Sequence, residues 1–139
     1  MSNPTEDLEA SGNKEVNMAE KKKLVVLITR GLDDERSSVA WSVANGGINS
    51  DLDVSIFLTS SAVDWVRKGA ADKVHLNPMD PPMMEMIQKV RDNGCTIMVC
   101  PPCAEVRGFS QDDLLDGVVI TGSGAMHELI KQGAATLCF

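Results

Sequence analysis

The chain has 139 residues and a formal net charge of −7; 43% of its residues are hydrophobic and 4% aromatic. That length holds one domain with a real core, and the composition is that of a globular protein. The acidic balance and the shortage of rings, with no Tyr at all, exclude a nucleic-acid surface, which needs a concentrated positive field and exposed rings for stacking.

No apolar stretch approaches the roughly 20 residues that span a bilayer, so no membrane span is expected. The N-terminus is polar and acidic, unlike a secretory signal or an Arg-rich transit peptide, and the protein is expected to stay in the cytoplasm. There, Cys95, Cys100, Cys103 and Cys138 point to thiol or metal chemistry rather than to structural disulfides.

Residues 1–22 carry Asn, Ser, Gly, Pro and acidic side chains without an apolar period. Such a stretch cannot offset its ordering entropy, so a disordered acidic tail is expected there and a single α/β domain over 23–139. Leu24 to Ile28 is a continuous apolar run, suited to a strand buried on both faces. Asp33 and Asp34 offer N-cap chemistry to a helix in which Val39, Ala40, Val43 and Ala44 follow at helical spacing, with Gly46-Gly47 as its stop. Val54 to Leu58 reads as a second strand, and Ser61 to about Arg67 as a short helix. Val74-His75-Leu76 is a brief extended piece. Asp80-Pro81 then provides an N-cap and first helical position for a helix packed through Met83, Met86, Ile87 and Val90.

Cys95 to Val99 is a third strand. Asp112-Asp113 looks like a helix start. Asp116-Gly117 turns into a fourth strand, Val118 to Ile120. A helix bearing Ala125, Met126, Leu129 and Ile130 ends at Gly133, and Ala135 to Cys138 closes the chain as a fifth strand. Strand and helix alternate throughout, which predicts a three-layer α/β fold: a mostly parallel five-stranded sheet with helices on both faces. In such sheets reactive groups collect beyond the carboxyl ends of the strands.

The loop after Val99 is the most informative stretch. Cys100 ends the strand, and Pro101, with φ fixed and no N–H to lose, fits the first position of a helix. Cys100 thus stands near an N-cap, where amide hydrogens and the helix dipole are expected to favour a thiolate. Cys103 follows three residues later, near enough for a disulfide. The pair supplies only two metal ligands where a structural zinc takes four; nothing in the spacing of His75, Cys95 or Cys138 completes a set, so no metal is expected. Two inert buried sulfurs are the bland alternative.

At Cys100, Ala104, Arg107 and Gly108 the chain resembles the DsrE/DsrF-like (TusD-like) sulfur-relay family: a strand ends in Cys, with Ala four residues on and Arg-Gly at the seventh and eighth. The resemblance extends over residues 23–139 in element order, the glycine after the last helix and the short closing strand. It implies a Rossmann-like, DsrE-like sheet, a homotrimer or homohexamer, and a persulfide carried at Cys100. The partners it implies are sulfur-donor and sulfur-acceptor proteins or a small thiol. Pro101-Pro102-Cys103 stands where small apolar residues are usual, which admits a disulfide-forming variant.

Around Cys100 the expected pocket walls are Arg30 and Gly31 after the first strand, Thr59 and Ser60 after the second, Pro101 and Arg107, and Thr121, Gly122 and Ser123 after the fourth. Thr121 to Gly124 is able to cradle an anion on its amides but lacks the dinucleotide or P-loop spacing, and no cofactor is expected. His127 reads as a surface or half-buried helical residue rather than a base, and His75 likewise. Met79, Met83, Met84, Met86 and Trp65 suit either a subunit interface or the core. Three functions compete: sulfur relay through Cys100, which makes the chain a sulfurtransferase or sulfur carrier; a thiol–disulfide redox protein using Cys100 and Cys103; and a non-catalytic oligomeric binding module.

Overall fold

The computed structural model describes residues 21–139; residues 1–20, most of the expected tail, lie outside the described residues. The elements are β1 (Lys23–Ile28), α1 (Arg36–Asn49), β2 (Asp53–Leu58), a 3-10 helix (Ser60–Val66), α2 (Met83–Asp92), β3 (Thr96–Val99), α3 (Pro101–Val106), a 3-10 turn (Gln111–Asp113), β4 (Val119–Ile120), α4 (Gly124–Lys131) and β5 (Ala135–Cys138). The five strands form one sheet in the order β4-β3-β2-β1-β5, with every pairing parallel.

The order of strands fixes the layers. Each step from β1 to β4 moves the same way across the sheet, so right-handed crossovers place α1, α2 and α3 on one face. The step from β4 back to β5, beside β1, reverses direction and carries α4 to the other. On the first face Leu24, Val26, Ile28, Val54, Ile56, Leu58, Ile97 and Val99 pack against Ala40, Trp41 and Ala44 of α1 and Met83, Met86, Ile87 and Val90 of α2. The second face buries Val25, Phe57 and Met98. There Met126 and Ile130 of α4 share a groove with Val25, Leu27 and Cys138. Trp65 and two of the methionines expected at an interface or in the core, Met83 and Met86, belong to the core; Met79 is exposed.

Several boundaries differ from the sequence reading. Helix α1 runs through Gly46-Gly47 and ends at Asn49, with Asp51 just beyond in the left-handed region at φ 61. Gly47 is needed for packing: a Cβ there meets Val54 Cγ2 at 2.9 Å and Leu24 Cδ2 at 3.1 Å. At its start, Asp34 accepts the Arg36 amide at 2.9 Å and binds the Arg36 guanidinium at 2.8 and 3.0 Å. Those bonds hold the Asp34 carboxyl down at about 2.

Asp80 does not cap α2, whose N-cap is Pro82; its carboxylate instead accepts the Ser38 hydroxyl at 2.6 Å and ties the loop to α1. Val74 to Leu76 forms no strand, since the Val74 carbonyl is taken by the Met83 amide. The segment after β2 is a 3-10 rather than an α-helix, and Asp112-Asp113 belongs to a single 3-10 turn boxed by Ser110 and Asp113. Among the described residues no helix is long and apolar enough to cross a membrane.

Candidate functional site

The parallel ladder runs one residue past the strand ends. Thr59 donates to the Ile28 carbonyl, Cys100 to Leu58 and Thr121 to Val99, each at 3.0 Å. Those bonds align the loops after β2, β3 and β4 along one edge, at the carboxyl end where α/β sheets place their chemistry.

Cys100 is the N-cap of α3, with extended backbone at φ −60 and ψ 122, and Pro101 and Pro102 take the first two helical positions. Cys103, one turn on, reaches across to the β2 loop, where its Sγ accepts the Ser60 amide hydrogen at 3.1 Å. Ser60 stands at φ 53; besides Asp51 it is the only non-glycine among the described residues with a positive φ. Arg107 closes the same short helix: its Nη1 donates to the Cys103 carbonyl at 3.0 Å, and its exposed guanidinium sits beside the pair. Both sulfurs are free thiols on half-buried residues.

The electrostatics of Cys100 reverse the expectation of an easily formed thiolate. Burial, the largest effect, pushes the Cys100 thiol up; the Cys103 amide pulls it down by a smaller amount; and the Cys103 side chain raises it again, through a hydrogen bond and through its charge. The two prolines limit what could oppose burial. An N-cap side chain takes its stabilisation from the amides two and three residues into the helix. Proline has no amide hydrogen, so of those two only the Cys103 N–H remains. A helix of six residues adds little dipole. A charge on Cys103 therefore opposes a second on Cys100.

The other expected pocket residues divide. Thr59, Ser60, Pro101, Arg107 and Thr121 lie on the same edge as the thiols. Arg30 and Gly31 serve packing: the Arg30 carbonyl accepts Trp65 Nε1 at 2.9 Å and the Ser37 hydroxyl at 2.7 Å. A Cβ on Gly31 meets Ser61 Cβ at 3.0 Å. Gly122 and Ser123 are exposed and start α4, the Ser123 carbonyl accepting the His127 amide. His127 is exposed, and His75 is engaged with the Asp80 carbonyl at 2.7 Å. Among the described residues no three His, Cys, Asp or Glu side chains gather as a metal site. Sequence reasoning placed Ser60 in the pocket but missed its amide bond to Cys103, because residue type carries no sign that a serine will adopt a left-handed backbone.

A family model described as the DsrE/DsrF-like family matches residues 22–139. Among curated proteins, the chain is 29% identical over 110 residues to the uncharacterised protein MJ0989 of Methanocaldococcus jannaschii, covering 78% of this chain and 89% of that one. It is 28% identical over 108 residues to the uncharacterised protein MK0008 of Methanopyrus kandleri, covering 77% and 82%. The fold is similar to that of the ychN protein from E. coli, with a TM-score of 0.68 at 21% identity over 86% of this chain and 99% of that chain. It is likewise similar to the protein MTH1491 from Methanobacterium thermoautotrophicum, with a TM-score of 0.60 at 21% identity over 86% and 100%.

Proposed function

The chain belongs to the DsrE/DsrF-like family, and we propose on that footing that it is a sulfur-relay protein whose working group is the Cys100 thiol. The observation that carries the reading is the position of that sulfur: half-buried, at the carboxyl end of β3, beside a second thiol on Cys103. In the first step the Cys100 sulfur attacks the outer sulfur of a donor persulfide. One S–S bond forms, the donor's S–S bond breaks, and the donor leaves as a thiol. In the second step an acceptor thiolate takes the same sulfur and frees Cys100.

Burial pushes the Cys100 thiol up, so its proton is given up as the sulfur attacks the docked donor. Donor and acceptor are partner proteins or a small thiol. The reading includes assembly as a homotrimer or homohexamer in the cytoplasm, with no cofactor. Donor sulfane sulfur labelled with a radioisotope tests it: label should pass through the protein to an acceptor thiol, and Cys100→Ala should abolish passage. Undiminished transfer by Cys100→Ala contradicts the role.

A further inference from the structure

Ser60 holds a left-handed backbone that a serine rarely adopts, and the use made of it is specific: the conformation aims an amide hydrogen at Cys103 Sγ, 3.1 Å away. Strain of this kind persists where the surroundings enforce it, and it gathers at functional sites. The bond fixes the Cys103 sulfur against the loop after β2, on the same strand-end edge as Cys100. Cys103 lies in the first turn of the short helix that Cys100 caps, so the two cysteines share one end of that helix.

We propose that Cys103 is a resolving thiol, held by the Ser60 amide, that discharges a Cys100 persulfide as hydrosulfide when no acceptor is docked. The inference rests on the persulfide reading of Cys100. Cys103 thiolate attacks Cys100 Sγ, the inner sulfur of the persulfide. The bond between Cys100 Sγ and its outer sulfur breaks, and the outer sulfur leaves with the bonding pair and its proton as HS⁻. Cys100 and Cys103 become a disulfide. The sulfane sulfur is reduced by two electrons, and the two cysteine sulfurs supply them. A dithiol reductant must then reopen the disulfide before another cycle. The short reach within one helical turn and the exposure of the neighbouring Ser60, Pro102 and Arg107 leave the pair open to that reductant.

Pre-reduced wild-type protein and Cys103→Ser, each given one equivalent of an organic persulfide without an acceptor, test this by sulfide release and intact mass. The serine hydroxyl still accepts the Ser60 amide; Cys103→Ala, checked by its thermal melt, stands in should that variant fail to fold. Wild type should release about one sulfide per chain and become about 2 Da lighter, the loss of two hydrogens on disulfide formation. Cys103→Ser should release at least about tenfold less and keep the ~32 Da of one sulfur atom. If both proteins keep the added sulfur, or both release it equally, the resolving role is wrong and the carrier role is untouched. If Cys103→Ser never gains sulfur, the carrier role itself fails.

Discussion

Pro101 and Pro102 remove two amide hydrogens from the start of α3, and with them most of the anion-stabilising field that a strand-end cysteine would otherwise receive. The Cys100 thiol is consequently held above its ordinary range by burial, and a charge on Cys103 lifts it further. A raised thiol is mostly protonated at neutral pH, so Cys100 should react with iodoacetamide more slowly than a free cysteine. Its rate should keep rising at pH values where a free thiol has levelled off. Pro102 is exposed, and Pro102→Ala returns an amide at the position from which an N-cap side chain is normally served. That variant should speed Cys100 alkylation at pH 7 by about threefold or more, read by site-resolved mass spectrometry. An unchanged rate would mean that burial alone governs the thiol.

At the scale of elements, Gly46 and Gly47 separate intrinsic propensity from packing. Both lie inside α1. A methyl group on Gly46 meets nothing within 4 Å, so Gly46→Ala should stabilise the fold by about 0.5–1 kcal/mol, the helix preference for alanine. Gly47 sits over the paired residues Leu24 and Val54. Gly47→Ala should therefore cost about 1–3 kcal/mol of overpacking, only partly offset by propensity; denaturant melts of the two variants check the opposite signs. The same pair shows where sequence reading stops. The apolar runs at Leu24 to Ile28 and Val54 to Leu58, and the period of Met83, Met86, Ile87 and Val90, were legible because burial is written into residue type. The end of α1 was not, because Gly46-Gly47 looks like a stop and only the approach of two strands explains its place in the helix. At the site, Cys100 and Pro101 were legible as cap and first turn. The Ser60 amide was not, since it depends on the chain folding back between β2 and α3.

For the whole molecule, the reversal at β5 leaves one flank thinly covered. Strand β5 is exposed along its length, Ile130 of α4 is 44% exposed and Leu137 is 43% exposed. Strands of an all-parallel sheet are ordinarily buried on both faces, so an uncovered apolar edge fits a chain that meets further copies of itself. Sedimentation should give three or six times the 15.0 kDa of one chain; a species of single-chain mass at micromolar concentration would contradict the oligomer.

Fragment mass spectrometry of Cys103→Ser, in which the added sulfur cannot be expelled from within, bears most directly on the chemistry of Cys100. After exposure to an organic persulfide, the peptide fragments should carry an extra ~32 Da on Cys100. Unmodified Cys100, or the extra mass on Cys95 or Cys138 instead, would contradict the assignment.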